Sequence, residues 1–245
     1  MFQVIYAHRG ASGYAPENTL EAFDLAAKQG AYGVELDVHL SKDGELMVAH
    51  DERIDRVADG TGLICEMTLA ELKKYHFNKV HPEYKECRIP TLREVFELLG
   101  PTGLHVNVEL KNSYLPYPGL EEKCIELAAK TGMTNRVLYS SFNHHSLMHV
   151  KSMDASLPCG LLYECTMVRS WEYGHQLQMN ALHPHFSELQ VPDECDKAHA
   201  LGLEVNPWTV NEENDLRMVI AAGANRIITN YPDRTLRVLS ACQQK

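Results

Sequence analysis

Residues 33–40 read GVELDVHL, an apolar stretch in which two carboxylates stand two positions apart. Alternate side chains of a β-strand point to the same face, so Glu35 and Asp37 are predicted to lie side by side. A largely apolar strand is typical of a parallel sheet that is covered on both faces. Burying an unpaired carboxylate costs on the order of several kcal/mol, and a bound divalent cation is the simplest compensation. The stretch therefore predicts both a parallel strand and a cation site.

Two other strand-like stretches end in charged or histidine side chains. Residues 4–9 read VIYAHR and end in His8 and Arg9, whereas residues 104–111 read LHVNVELK and place Glu109 and Lys111 on one face. In a barrel of parallel strands, the carboxyl ends of the strands meet at one rim, where reactive groups gather. There Glu109 would join the acids of residues 33–40 in an oxygen-rich site for Mg²⁺ or Ca²⁺. The alternative is an ion-pair network in which Lys111 neutralises the acids.

Strand-like and helix-like segments alternate along most of the chain. Strands are predicted at residues 4–8, 33–40, 45–50, 105–111, 137–141, 159–163, 181–185, 203–209 and 226–229. Helices are predicted at residues 19–29, 91–99, 120–131, 144–153, 194–201, 212–222 and 234–241. About eight strand–helix units predict an α/β fold of the (β/α)8 TIM barrel type. An open doubly wound sheet is less favoured because no G-x-G-x-x-G loop follows the first strand.

The stretch from residue 51 to about residue 88 interrupts this alternation. It carries DGTG at residues 59–62, a short helix-like segment at 69–75 and then a polar stretch. We therefore expect residues 1–245 to form a single barrel domain, with about 51–88 as a small insertion after the second strand. The apolar residues of the insertion could form a core of their own or an entrance for an acyl chain; they are Ile64, Met67, Leu69, Leu72 and Phe77.

The composition limits the classes of function. The 245 residues carry a formal net charge of -10, which argues against a broad nucleic-acid-binding surface but allows a small anion at a local positive site. The seven cysteines are irregularly spaced without a C-x-x-C pair, which predicts reduced thiols. The chain shows neither a signal-peptide pattern nor a run of about 18 apolar residues, so we expect a cytoplasmic protein without a transmembrane segment.

Two histidines are placed to act as an acid–base pair. His8 ends the first predicted strand, and His50 ends the short strand-like extension at residues 45–50. Such a pair can supply one neutral base and one protonated acid near neutral pH. The other histidines are interpreted as surface or structural groups. For His39, which continues the face of the two acids, a structural role is favoured over a place beside the metal.

The positive side chains Arg9 and Lys111 suit a phosphoryl oxygen. Three carboxylates contribute -3, a divalent cation +2 and these two side chains +2, which sums to +1. One phosphodiester anion would balance this charge, whereas a phosphomonoester dianion would leave an excess of negative charge. The count therefore favours a diester as the substrate.

Three further residues have two interpretations each. Asn18 is predicted as the N-cap of the first helix, with Glu21 as its capping-box partner, and a role in the site is an equal alternative. Trp208 lies at the end of the predicted strand 203–209, and Phe142 follows the predicted strand 137–141; both are interpreted as walls of a small-molecule pocket, although packing on the rim would also explain them.

Short motifs in a fixed order make the chain resemble the glycerophosphodiester phosphodiesterases. The motifs are HRGASG at residues 8–13, PENT at 16–19, ELDV at 35–38, KDG at 42–44, HD at 50–51, DGTG at 59–62, IPTL at 89–92, NVELK at 107–111, SSF at 140–142, WTVN at 208–211 and TNYPD at 229–233. Each motif is weak alone, but together they extend over almost the whole chain. Ser41 and Asn230 depart from the usual Thr and Asp, and neither departure removes an expected ligand or acid–base group.

The resemblance implies a barrel enzyme that hydrolyses glycerophosphodiesters to sn-glycerol 3-phosphate and an alcohol with the help of one Mg²⁺ or Ca²⁺. The metal-binding acids of the family fall on Glu35, Asp37 and Glu109, its essential histidines on His8 and His50, and its basic residues on Arg9 and Lys111. By analogy, His8 is expected to be the base and His50 the acid, although the reverse assignment stays open. The nucleophile is either water or the 2-hydroxyl of the glycerol, which would give a cyclic phosphate.

Two alternative functions remain at this point. One is a lysophospholipase D-type or cyclising phosphodiesterase that acts on lysophospholipids, and the other is a non-catalytic binding protein. Retention of both histidines and all three acids argues against the second alternative. The sequence determines neither the alcohol group nor the choice between Mg²⁺ and Ca²⁺, and base rates predict a monomer or a homodimer.

Overall fold

A computed structural model describes residues 2–243 of the chain. Its strands are β1 (Val4–His8), β2 (Gly33–Leu40), β3 (Leu46–Val48), β4 (His105–Leu110), β5 (Val137–Ser141), β6 (Cys159–Tyr163), β7 (Ala181–Pro184), β8 (Glu204–Val205) and β9 (Arg226–Thr229). Its helices are α1 (Leu20–Lys28), α2 (Leu69–Leu72), α3 (Leu92–Leu99), α4 (Leu120–Lys130), α5 (His144–Met153), α6 (Ser170–Gln176), α7 (Glu194–Ala200), α8 (Glu213–Ala221) and α9 (Pro232–Gln243).

Eight of these strands are parallel and follow one another around a barrel. They lie in the order β8-β7-β6-β5-β4-β2-β1-β9, and β3 pairs antiparallel with β2 outside this path. Backbone hydrogen bonds join the two ends of the order, because the Asn225 N–H donates to the Val205 carbonyl at 2.8 Å and the Ile228 N–H to the Pro207 carbonyl at 3.0 Å. The predicted (β/α)8 barrel is therefore confirmed, and the doubly wound alternative is wrong.

Two elements differ most from their predictions. Strand β8 is much shorter than the predicted stretch 203–209, and Pro207 in that stretch has no N–H to extend a regular ladder. Helix α6 was not predicted at all. Its buried positions are Ser170 and Gly174, so it carries no apolar repeat that could indicate a helix. A Cβ at Gly174 would lie 2.8 Å from a methyl carbon of Leu182, which shows how closely this helix approaches the sheet.

The side chains of β2 divide between the two faces of the barrel wall. Val34, Leu36 and Val38 are fully buried and belong to one apolar cluster with Phe23 of α1 and Phe96 of α3. This cluster fills the layer between the sheet and the helices. The two acids that alternate with these residues point to the other face, so the pattern of residues 33–40 directs them away from the apolar layer.

The segment between β3 and α3 contains a separate small apolar cluster. Ile64 and Leu72 are fully buried in it, Phe77 is 4% exposed, and Met67 and Leu69 pack against it. These side chains therefore form a core of their own instead of the acyl entrance that was the alternative. The assignment of residues 1–245 to a single domain, with an insertion at about 51–88, stays a prediction.

The cysteines are free thiols, as predicted. None of the seven forms a disulfide within the part of the chain that the structure describes, and four are buried. Burial raises the pKa of the Cys159 thiol to about 12, so this side chain is an unreactive part of the core. Among residues 2–243, every helix is too short or too polar to span a bilayer.

The glycine that follows Arg9 has an unusually strict steric role. Gly10 has a φ of +79°, and a Cβ on it would lie 2.6 Å from the backbone carbon of Ala22 in α1. Gly103 has the same φ of +79° but no atom within 4 Å of such a Cβ. We expect Gly103→Ala to lower the free energy of unfolding by about 1 kcal/mol, from backbone strain alone. Gly10→Ala should lower it by about 3 kcal/mol or more, because the clash adds to the strain.

Urea unfolding of both variants measures this difference. If both variants lose the same free energy of unfolding, the contact between residue 10 and α1 adds no penalty, and the prediction is contradicted.

Candidate active site

Three carboxylates lie together on the adjacent parallel strands β2 and β4. The strands pair so that Asp37 is the partner of Glu109, while Glu35 precedes them by two positions on the same face of β2. One oxygen from each carboxylate lies within 4.8 Å of the others, and all three residues are buried (4% exposed for Glu35, 1% for Asp37 and 8% for Glu109). The predicted acidic cluster is thus assembled by adjacent parallel strands.

Burial and mutual repulsion make the cluster electrostatically unfavourable in the absence of a cation. Burial, followed by the charges of Asp37 and Glu109, raises the pKa of Glu35 well above its usual range. Burial also raises the pKa of Glu109, although Lys111 opposes this shift. Burial alone would raise the pKa of Asp37 as well, but the charges of Arg9 and Lys111 lower it. Ionisation of all three acids therefore costs free energy unless additional positive charge is present.

The neighbouring cations compensate the cluster only in part. The Lys111 ammonium lies 3.0 Å from Glu109 Oε1 and 3.7 Å from Asp37 Oδ1, and Arg9 Nε lies 3.4 Å from Asp37 Oδ2. The ion-pair network considered from the sequence therefore exists. Arg9 also pairs with Glu17 at 2.9 Å, so its charge is shared. Within the described residues, the buried Asp37 Oδ1 accepts no hydrogen bond.

This combination of groups fits a divalent metal ion. A hard cation binds to converging carboxylate oxygens that carry an excess of negative charge. The site offers three such carboxylates, and one of their buried oxygens has no hydrogen-bond donor among the described residues. Both Mg²⁺ and Ca²⁺ prefer carboxylate oxygens, so the donor set does not distinguish them.

Asn18 supports the cluster and does not cap a helix. The N-cap of α1 is Thr19, whose hydroxyl accepts a hydrogen bond from the Ala22 N–H at 3.3 Å. The prediction of Asn18 as the cap is therefore wrong by one residue. Asn18 has a φ of +57° and donates from Nδ2 to Asp37 Oδ2 at 2.8 Å. The sequence contained a signal for this role of Asn18. Thr19 is also a good capping residue, which leaves Asn18 free for another role, and asparagine tolerates the left-handed conformation.

His8 is held as a neutral imidazole. Its Nδ1–H donates to Asn230 Oδ1 at 2.7 Å, and its Nε2 lies 4.0 Å from Glu35 Oε2. Burial, with the nearby charge of Arg9, lowers the pKa of His8 to about 3. With the Nδ1 proton committed to Asn230, the Nε2 atom carries a free lone pair. In this tautomer, Nε2 is the atom of His8 that can accept a proton.

His50 follows β3 and is oriented by a carboxylate. Its Nδ1–H donates to Asp51 Oδ1 at 2.6 Å, and its side chain is 33% exposed. The carbonyl of His50 accepts a hydrogen bond from His39 Nε2 at 3.1 Å, while His39 Nδ1 contacts the Tyr117 hydroxyl at 3.1 Å. Completely buried between these partners, His39 has the structural role favoured from the sequence.

A small pocket connects these groups. Its walls are formed by His8, Arg9, Glu35, His50, Asn107, Glu109, Phe142, Leu162, Trp208 and Ile228. Phe142 and Trp208 meet edge to face with 5.6 Å between ring centroids, and the Trp208 indole N–H donates to the His183 carbonyl at 2.8 Å. Asp37 and Lys111 are not part of this lining, and Lys111 pairs with both Asp37 and the lining residue Glu109.

Asn107, Leu162 and Ile228 are the pocket residues that the sequence analysis missed. For Asn107 a signal existed, since it precedes Glu109 by two positions and must share its face. Its side chain is 2% exposed, and neither amide atom has a hydrogen-bond partner within residues 2–243. Leu162 and Ile228 lie on β6 and β9 and could not be distinguished from other strand residues.

The fold and the polar pocket at the carboxyl ends of its strands define the chain as a TIM-barrel enzyme. The glycerophosphoryl diester phosphodiesterase family matches residues 8–234. A glycerophosphodiester phosphodiesterase from Caldanaerobacter subterraneus subsp. tengcongensis is 41% identical over 240 residues, which cover 98% of each chain. The chain belongs to the glycerophosphodiester phosphodiesterase family, and the resemblance drawn from its motifs is confirmed.

Solved structures support the same assignment. A phosphodiesterase from Oleispira antarctica, determined in complex with the product sn-glycerol-3-phosphate, superposes with a TM-score of 0.85 at 32% identity and covers 98% of this chain and 97% of its own. A glycerophosphodiester phosphodiesterase from Agrobacterium tumefaciens superposes with a TM-score of 0.83 at 27% identity and covers 98% of this chain and 100% of its own. Both matches extend over the whole barrel.

Proposed function

We propose that the protein hydrolyses glycerophosphodiesters to sn-glycerol 3-phosphate and an alcohol. The observation that carries this proposal is the convergence of three buried carboxylates with His8 and His50 around one pocket. Family membership and the product bound to the Oleispira relative support it. Glu35, Asp37 and Glu109 would hold one divalent cation, either Mg²⁺ or Ca²⁺.

The two sides of the pocket suit the two parts of a glycerophosphate. Arg9 and Lys111 supply positive charge near the acids, where the phosphoryl oxygens would bind. Phe142, Leu162 and Trp208 supply an apolar wall against which the carbon atoms of the glycerol would pack.

Acid–base catalysis is assigned to the two histidines in separate roles. A bound divalent cation would supply Lewis-acid polarisation of a phosphoryl oxygen. His8, neutral and with Nε2 free, accepts the proton of the nucleophile, while Asn230 keeps its ring in place. His50 donates a proton to the leaving alcohol, and the Asp51 carboxylate stabilises positive charge on its ring. The nucleophile is water or the 2-hydroxyl of the glycerol, and a rapid quench that traps a cyclic phosphate would establish the second route.

Among residues 2–243, no specific contact favours a lysophospholipid as the substrate. The apolar residues of the 51–88 segment that could have guided an acyl chain are used in their own small core. The seven free thiols support the proposal that the protein acts in the reducing cytoplasm. The expectation of a monomer or a homodimer stays a prediction.

Release of glycerol 3-phosphate from glycerophosphocholine tests the function directly. We expect release with added Mg²⁺ or Ca²⁺, and a fall to background when EDTA removes the ion, because the acidic cluster then lacks its compensating charge. The ratio of the two rates identifies the preferred ion. Folded protein that releases no glycerol 3-phosphate from choline, ethanolamine, glycerol and inositol diesters would contradict the proposal.

A further inference from the structure

Arg56 forms an unusually complete set of ion pairs just outside the pocket. It lies in the 51–88 segment and not on a barrel strand. Its Nε and Nη2 contact the two oxygens of Asp51 at 2.7 and 3.2 Å. Its Nη1 and Nη2 contact the two oxygens of Glu17 at 2.7 Å each. One guanidinium group thus binds two carboxylates in bidentate fashion, a geometry that a lysine cannot reproduce.

Both carboxylates bound by Arg56 also contact residues of the pocket. Asp51 Oδ1 accepts the hydrogen bond from His50 Nδ1 at 2.6 Å. Glu17 Oε1 accepts a hydrogen bond from Arg9 Nη1 at 2.9 Å. Arg56 therefore joins the chain segment that carries His50 to the loop between β1 and α1, which carries Arg9.

The network can orient His50 in addition to stabilising the fold. Isolated ion pairs of partly exposed side chains stabilise proteins by only about 0 to 1 kcal/mol, a bidentate network can contribute more, and the Arg56 side chain is 44% exposed. The His50 side chain is 33% exposed, so packing does not surround it on every side. The direction of its ring depends on Asp51, and the plane of the Asp51 carboxylate is in turn set by the two contacts from Arg56.

We propose that Arg56 is a positioning residue for His50, acting through Asp51 and anchored by Glu17. This inference rests on the proposed acid–base role of His50. Without Arg56, the Asp51 carboxylate can rotate, and the ring of His50 loses its fixed direction toward the pocket. Groups that orient metal ligands through hydrogen bonds typically contribute about 10- to 100-fold to activity, and we expect an effect of the same order for a group that orients an acid.

The test compares Arg56→Gln with a matched control, Arg53→Gln. Arg53 lies in the same segment, its side chain is 52% exposed, and it pairs with Asp55 at 3.2 Å, away from His50. We expect Arg56→Gln to lower kcat for glycerophosphocholine about 10- to 100-fold with little change in KM. Arg56→Lys, which keeps the charge but loses the bidentate contacts, should give an intermediate kcat. Arg53→Gln should stay within about twofold of the wild type.

A double-mutant cycle with His50→Ala shows whether Arg56 acts through His50. In single-turnover assays with enzyme in excess, Arg56→Gln should change the residual rate of the His50→Ala protein by less than about twofold. An equal loss in both backgrounds, or a loss confined to KM, would overturn the inference. If Arg56→Gln fails to fold, the same cycle is carried out with Arg56→Lys.

The controls separate this inference from the proposed function. A wild type without activity, or a His50→Ala protein with full kcat, would contradict the proposed function itself. A large loss for His50→Ala together with full kcat for Arg56→Gln would overturn only the role of Arg56.

Discussion

Glu35→Gln is expected to abolish turnover and, at the same time, to stabilise the protein in EDTA. Turnover should fall by about 10³-fold or more, since the site loses a ligand to the cation, and a bound cation stabilises the charge of the transition state by several kcal/mol. Stability should rise because burial and the charges of Asp37 and Glu109 disfavour ionised Glu35. A neutral amide of nearly the same shape removes this repulsion.

The pH dependence of this stabilisation follows from the direction of the shift. The folded-state pKa of Glu35 lies above the ordinary value of 4.5, so the wild type in EDTA loses stability as pH rises from that value through the raised pKa. Glu35→Gln does not titrate, and its advantage should therefore be absent below about pH 4 and grow as pH increases. Thermal unfolding of both proteins in EDTA at several pH values measures this difference in stability.

Added cation provides the second measurement for Glu35. The melting temperature of the wild type should rise with Mg²⁺ or Ca²⁺, because the ion binds only the folded protein, and Glu35→Gln should lose this increase. Glu121→Gln is a matched control: Glu121 is 8% exposed and accepts hydrogen bonds from Asn112 and Ser146 at 2.9 and 2.5 Å, so the change should destabilise the protein without removing the cation response. A Glu35→Gln protein that still responds to cation would exclude Glu35 as a ligand.

Alanine in place of His8 or His50 is expected to lower kcat by about 10²- to 10⁴-fold at each position. Neither histidine belongs to the carboxylate cluster, so the cation-induced rise in melting temperature should persist in both variants. His175→Ala, at an exposed position of α6, is the control and should keep full kcat. Steady-state and single-turnover rates of glycerol 3-phosphate release measure the effects.

An activated leaving group separates the acid from the base. A p-nitrophenyl diester of glycerol phosphate needs little protonation when the bond breaks, so the loss caused by His50→Ala should shrink strongly with this substrate. The loss caused by His8→Ala should remain, because the nucleophile still has to give up its proton. If the pattern is reversed, His50 is the base and His8 the acid; full kcat in either variant would remove that histidine from the pair.

Much of the fold could be predicted because it depends on local periodicity. The strand limits of β1, β2, β5, β6 and β9 agree with the predicted ranges, since each is a short, mostly apolar run bounded by turn residues. The glycines at positions 30, 132, 202 and 223 have the left-handed conformation expected after helices. Helix α6 escaped prediction because the side that it buries consists of small residues rather than an apolar stripe.

The sequence by itself determined the barrel, the shared face of Glu35 and Asp37, and the carboxyl-end position of His8 and Glu109. All of these follow from a strand period of two and from the rule that parallel strands end at the same rim. Only the tertiary structure decided the partners of these groups: Asn18 on Asp37, Asn230 on His8, and Arg56 between Asp51 and Glu17. The physical reason is that hydrogen bonds and ion pairs act over a few ångströms, whereas Asn230 and His8 are 222 residues apart in the chain and meet only when the barrel closes.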